Sequence, residues 1–510
     1  MTREAELTAL KTRLQEIDDL RGAASVLQWD QATYMPPGGA ESRGRQLALL
    51  NRIAHDQQAD PGIGHLLDSL EPWAQAQGDE SDVAALVRVT RRDYERATRV
   101  PSSFIERLTS HMTAAYHTWE QARPANDFAA VRPMLEKTVE MSRELAAYHP
   151  GYEHPYDPLI DLAEDGMTVA GVRALFDELR AGLVPLIKAI RERPEVDGGC
   201  LSGNFPEAAQ QAFGEQVIRA FGYDYTRGRQ DKTAHPFMTK LGRGDVRITT
   251  RYSDDFLPDG LFSTLHEAGH AMYEQGIADD LEGTPLFSGT TAGVHESQSR
   301  LWENLVGRSL PFWSHWYGSL QAAFPGELDD VSIDTFYRAI NKVVPSLIRT
   351  EADEVTYNLH VMLRFGLELD LLEGKLAIAD LPAAWRERFQ RDIGIPVPDD
   401  KDGVLQDVHW YAGPIGGVFQ GYTLGNILSA QFYAAAVKAN PSIPTDVENG
   451  RFAPLHGWLR ENVYQHGAKF TASELVQRVT GSPMAIGPYI DYLRRKYEPL
   501  YDLAGAPARG

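Results

Sequence analysis

DVRITTRYSDDFLPDGLFSTLHEAGHAMYE, residues 245–274, changes its period part-way along. Val246, Ile248, Thr250 and Tyr252 alternate with Arg247, Thr249 and Arg251, the two-residue period of a half-exposed strand, and Gly242 to Asp245 supply turn residues ahead of it. A hairpin or small sheet is expected around 234–252. Pro258 and Asp259 then suit a helix start, and Leu261, Phe262, Leu265, Ala268, Met272 and Tyr273 recur at helical spacing as a broad apolar face. An isolated hairpin is marginal in water, so the strand is expected to pack on this helix.

Outward from this stretch the helical period dominates. Leu7, Leu10, Leu14 and Ile17 form an apolar seam on a long first helix, which Pro36, Pro37, Gly38 and Gly39 break. Further helices are expected over 80–99, 101–122, 126–148, 168–192, 205–221, 332–372, 380–393, 418–439 and 471–496. No fixed-period repeat, low-complexity tract or sharp shift in composition divides the chain. A mainly α protein folded as one unit across residues 1–510 is the expectation.

Of the 510 residues, 50 are Lys or Arg and 71 are Asp or Glu, a formal charge of −21 with 43% apolar residues. That acidity repels phosphate backbones, so neither nucleic acid nor an anionic membrane is expected as a partner. Cys200 is the only cysteine, which excludes an intramolecular disulfide and a cysteine metal cluster. No window reaches the length of a membrane span, and the charged opening Met1-Thr2-Arg3-Glu4 leads into no signal-like apolar run. A cytoplasmic protein is expected.

The second half of the opening stretch carries chemistry. On a helix, His266 and His270 project from one side a turn apart, where two imidazoles can grip a single zinc ion. Glu267 is rotated by about 100° from His266 and falls beside such a metal, the placement a general base for the attacking water needs. Histidines on a strongly apolar helix also incur a desolvation cost unless paired, which disfavours two idle imidazoles. A third ligand is required, with one position left open. HESQSRLWEN at 295–304 offers His295 and Glu296, and spacing does not choose between them. The stretch back to His270 has room for a loop and a returning helix, as in zinc peptidases whose third ligand is Glu, whereas Tyr273 and Gly276 do not match HExxHxxGxxH.

Six ordered segments carry a wider likeness: HPF at His235–Phe237, DVRIT at Asp245–Thr249, HEAGH at His266–His270, HESQ at His295–Gln298, IRTEAD at Ile348–Asp353 and GVLQDVHW at Gly403–Trp410. Together with Gln28-Trp29-Asp30 and the run from Tyr34 to Ala40, the sequence resembles the thermostable-type metallocarboxypeptidases, peptidase family M32, over nearly its whole length. The resemblance implies a nearly all-helical, saddle-shaped gluzincin, similar to neurolysin and angiotensin-converting enzymes, with two lobes flanking a long groove and usually a homodimer. It implies removal of single C-terminal residues from peptides, with broad side-chain tolerance and poor acceptance of proline. His266, His270 and Glu296 are then the metal ligands, for zinc or cobalt at one ion per chain, and Glu267 the catalytic base.

An exopeptidase must also bind the terminal carboxylate, which a guanidinium does with two parallel charge-assisted hydrogen bonds. Arg247 and Arg349 are the candidates. Donors are needed for the developing oxyanion, and His409 and Tyr422 are assigned to it, since related helical gluzincins place a His and then a Tyr at comparable positions; Tyr411 competes with Tyr422. His235 either fixes the hairpin or touches substrate backbone. Neither GxGxxG, GxxxxGK[ST] nor GxSxG occurs, which removes nucleotide and serine-hydrolase readings. A helical scaffold has no need of Glu267. The closer alternative is an endopeptidase or dipeptide-releasing enzyme on the same fold.

Overall fold

The computed structural model describes residues 2–503. It is mainly helical with one three-stranded sheet, as the sequence predicts. Two compact units share the chain: one comprises residues up to Thr98, Asp197–Ile340 and Ser429–Pro483, the other Arg99–Val196, Asn341–Leu428 and the residues from Met484 onward.

In the first unit, helix Arg3–Thr33 starts where the Thr2 side chain accepts from the Ala5 amide, and its seam of Leu10, Leu14 and Ile17 is buried. Those side chains share a core with Ile63, Leu67, Leu70, Leu86 and Leu286, with Leu7 packed at its margin. Strands β1 (Gln230–Lys232), β2 (Met238–Gly242) and β3 (Asp245–Thr250) form a sheet in the order β1-β3-β2. β2 runs antiparallel to β3 with Met238 opposite Ile248, the expected hairpin, while β1 adds in parallel with Gln230 opposite Ile248. Val246, Ile248 and Thr250 are buried as the alternation requires, but Thr249, on the opposite face of the central strand β3, is buried as well. The sheet does pack on the next helix, Leu257–Gly276. The Gln230 amide fastens it there by donating to Thr250 Oγ1 at 2.7 Å and Thr264 Oγ1 at 2.9 Å. At Gly22 a Cβ would lie 2.7 Å from the Leu241 carbonyl oxygen, so only glycine lets the first helix come this close to β2.

In the second unit, helix Tyr357–Leu372 is buried nearly all round. Asp353 accepts from the Val355 and Thr356 amides at its start, and Arg143 donates to the Leu371 and Leu372 carbonyls at its end, satisfying groups a helix terminus leaves open.

Two expected helices are broken. The 332–372 prediction resolves into Ile333–Ile340 and Tyr357–Leu372, because Pro345 has no amide proton to donate and disfavours a helical residue before it. IRTEAD therefore sits on a bend between helices, with Arg349–Glu351 in a 3-10 turn. The 471–496 prediction ends at Thr480, where Gly481 adopts φ 78°, and helix resumes at Gly487. Among the described residues no helix is long and apolar enough to cross a membrane.

Candidate metal centre

The HEAGH motif lies in the middle of helix Leu257–Gly276, and the HESQ motif on the returning helix Ala292–Arg300, capped by the Thr291 hydroxyl on the Val294 amide. Gly269 decides how closely these two helices approach. A Cβ there would lie 2.6 Å from the Gln298 carbonyl oxygen and 2.7 Å from Ser299 Cα, both backbone atoms that cannot swing aside. The contact brings Glu296 over His266 and His270. Replacing Gly269 by Ala is expected to force the helices apart, lowering unfolding free energy by about 1–3 kcal/mol and weakening metal retention at least ~10-fold. Denaturant titration and chelator competition measure the two effects, and unaltered retention would show that the close approach does not place Glu296.

The orientation of each imidazole follows from its partners. His266 Nδ1 lies 2.9 Å from Glu303 Oε2, and since an ionised carboxylate only accepts, Nδ1 carries a proton, which makes Nε2 the lone-pair nitrogen of the neutral ring. His295 Nε2 likewise donates to Glu274 Oε1 at 3.0 Å, which leaves His295 Nδ1 as an acceptor. His270 Nδ1, 2.6 Å away, donates to it, so His270 Nε2 is also a free lone pair. Both Nε2 atoms face Glu296 Oε2, at 3.6 Å from His266 and 3.4 Å from His270. A tetrahedral ion with bonds of about 2.0–2.1 Å separates its ligand atoms by roughly 3.4 Å, so the donor set fits a zinc-like cation. Of the two candidates in HESQ, Glu296 meets the imidazoles through an oxygen while His295 has both ring nitrogens engaged behind His270.

Burial and charge set the protonation of these groups. Burial would raise Glu296, but Arg300, His266 and His270 outweigh it and hold the carboxyl well below its usual range. Burial is likewise outweighed at Glu303, chiefly by Arg300, which holds it at about 2. At His270 burial wins and lowers the imidazole to about 4, favouring the neutral ring a metal requires. His266 is raised, because Glu296 and Glu303 overcome the burial that would lower it. Glu267, buried one residue along, is pushed up to about 7 by burial, with His266 opposing. A carboxyl tuned towards neutrality is what proton transfer near pH 7 calls for.

In the second unit, Arg349 and Arg364 converge on Asp407. Arg349 Nε donates to Asp407 Oδ2 at 2.7 Å, Arg349 Nη1 to the Tyr357 hydroxyl at 3.0 Å, and Arg364 Nε to Asp407 Oδ2 at 2.9 Å. Asp407 Oδ1 meets His409 Nδ1, and His409 Nε2 meets the Tyr422 hydroxyl at 3.0 Å. Arg349, His409 and Tyr422 are thus brought together. Tyr411 is instead buried, its ring stacked on Trp119 at 5.9 Å and its hydroxyl unpartnered, so Tyr422 is the tyrosine that reaches the histidine. In the first unit, Arg247 donates from Nε and Nη2 to the two oxygens of Asp245 at 2.8 and 2.6 Å and lies over Trp29 at 4.2 Å, so DVRIT and Gln28-Trp29-Asp30 meet here. His235 is exposed in the connection between β1 and β2.

Sequence reasoning overlooked Glu303, Glu274 and Asp407. The first two carry a helical signal: Glu303 lies two turns beyond Glu296, and Glu274 one turn beyond His270. Asp407 lies in GVLQDVHW two residues before His409, but its partners Arg349 and Arg364 come from separate segments, so no local spacing marks their convergence.

A profile of the carboxypeptidase Taq (M32) metallopeptidases matches residues 9–497. Thermostable carboxypeptidase 1 of Thermus thermophilus is 42% identical over 513 aligned residues, covering 98% of this chain and 100% of that protein. Carboxypeptidase 1 of Bacillus subtilis is 35% identical, covering 96% and 97%. The crystal structure of an M32 carboxypeptidase from Deinococcus radiodurans R1 superposes with a TM-score of 0.94 at 50% identity, covering 98% of this chain and 100% of that one.

Proposed function

The chain belongs to the carboxypeptidase Taq (M32) metallopeptidase family and is a metallocarboxypeptidase; on that premise we propose that it is a zinc enzyme releasing single residues from free peptide C-termini, with His266, His270 and Glu296 as ligands and Glu267 as base. The observation that carries this reading is the meeting of two Nε2 atoms with one carboxylate oxygen, 3.6 and 3.4 Å from them, with both Nδ1 protons already donated. Zinc, when bound, supplies Lewis acidity towards the scissile carbonyl and acidifies the attacking water. Glu267 takes a proton from that water and passes it to the leaving amine. His409 and Tyr422 donate to the developing oxyanion, Asp407 fixing the His409 ring.

Arg247 and Arg349 bind the terminal carboxylate. Each is held by an acidic side chain, Asp245 or Asp407, yet keeps N–H groups over for an incoming carboxylate. Broad side-chain tolerance with poor use of proline, cobalt as an alternative ion, a homodimer and a cytoplasmic location belong to the same reading, as does His235 as a contact to substrate backbone. A single catalytic unit spanning residues 1–510 belongs to the same reading as well.

Mass spectrometry of an N-terminally blocked peptide incubated with the metal-loaded protein is expected to give a ladder of single C-terminal losses. Amidating the C-terminus should lower kcat/KM by roughly 10- to 150-fold, and Arg349→Lys should lower it for the free peptide while shrinking the amide effect, because an ammonium lacks the planar fork. Internal cuts, or equal cleavage of free and amidated peptides, would replace this reading with an endopeptidase.

A further inference from the structure

One guanidinium touches both Glu296 and Glu303, the carboxylate behind His266. Arg300 Nε donates to Glu296 Oε1 at 2.7 Å, and Arg300 Nη1 to Glu303 Oε2 at 3.2 Å. Glu303 Oε2 is also the acceptor of His266 Nδ1. The oxygens of Glu296 therefore do different things. Oε1 is committed to Arg300, whereas Oε2 is turned towards His266 and His270 and accepts the Ser299 hydroxyl at 3.1 Å. The Arg300 side chain is only 16% exposed, so water screens these contacts little.

We propose that Arg300 is a positioning residue for the peptidase reaction, holding Glu296 to one-oxygen ligation while fixing Glu303 behind His266. The inference rests on the reading that His266, His270 and Glu296 hold the metal. A carboxylate free to rotate offers both oxygens to a cation; one tied through Oε1 offers only Oε2. The charge of Arg300 also offsets that of Glu296, so a bound cation keeps more of its own charge for the scissile carbonyl and the water. Removing Arg300 then acts in opposite directions on retention and turnover. The site gains an available oxygen and net negative charge, which strengthen retention, while the cation becomes more fully neutralised, which slows hydrolysis. A residue that only supports the fold would weaken both on removal.

The test uses the full chain loaded with Co²⁺ and two variants, Arg300→Met, which keeps an apolar stem, and Arg300→Lys, which keeps the charge without the fork. Arg300→Met is expected to take up one ion per chain and hold it against chelator at least as tightly as wild type. Its Co²⁺ visible absorption should weaken by about two-fold as coordination number rises, and turnover should fall by about 10- to 100-fold. Arg300→Lys should lie between. If the Met variant does not fold, the Lys variant decides alone: a weakened band with retained ion supports the proposal, and a wild-type band or wild-type turnover overturns it. Retention weakened ten-fold with an unaltered band would overturn it as well, leaving the metal site standing. A wild type that takes up no cation, or a Glu296→Ala protein that keeps it as tightly, would overturn the site reading itself.

Discussion

Glu267→Gln is expected to keep its metal and lose at least ~100-fold in turnover. The amide matches the carboxylate in size and still hydrogen-bonds, but it cannot accept a proton from the attacking water, and general-base catalysis is worth about 10²–10⁴. Fold and metal uptake should be unaffected, because His266, His270 and Glu296 supply the donor atoms and Glu267 is not among them. The pH profile gives a second readout. A base works only when ionised, so kcat/KM of the wild type should rise with pH as Glu267 loses its proton. Burial holds that carboxyl at about 7 before a cation is bound, and a nearby divalent charge draws it lower. The acidic limb should therefore lie below pH 7 in the loaded enzyme and disappear in Glu267→Gln. Near wild-type rates in a metal-replete variant would assign the proton to another group.

The stretch 245–274 was legible because its period changes in a short span, and each half is long enough to show its own. β1 was not legible: three residues, Gln230–Lys232, cannot display an alternation, and the strand exists because β3 has a free edge to pair with. The break at Pro345 was written in the sequence, but the helical period on both sides hides a gap that one proline decides. The choice between Tyr411 and Tyr422 lay beyond sequence altogether. Both tyrosines lie in an aromatic-rich stretch, and only tertiary packing turns one ring onto Trp119 and the other hydroxyl onto His409. The Asp407 cluster is opaque for a related reason, since Arg349, Arg364 and His409 reach it from a bend and two helices. The metal triad lies between these cases: the His pair is set by local helix geometry, while Glu296 depends on Gly269 permitting close contact between two helices.

That dependence makes the third ligand the sharpest test of the centre. Glu296→Ala removes the carboxylate oxygen that, among the described residues, is brought to both Nε2 atoms, and it deletes the acceptor that Arg300 Nε meets at 2.7 Å. Two imidazoles alone hold zinc poorly, so the variant is expected to lose its ion to a chelator that leaves the wild type loaded, and turnover should fall to background. His295→Ala should behave differently. It deletes the acceptor of His270 Nδ1 and breaks the path to Glu274, which Lys240 neutralises at 2.7 Å. A support of this kind is worth about 10- to 100-fold in affinity or activity, so this variant should retain metal at saturating concentration and keep measurable turnover. In the wild type, chelation should abolish activity and added Zn²⁺ should restore it. The reverse ranking, with Glu296→Ala loaded and active while His295→Ala is empty and inert, would make His295 the ligand. It would also require the His270–His295–Glu274 chain of hydrogen bonds to rearrange whenever the ion binds.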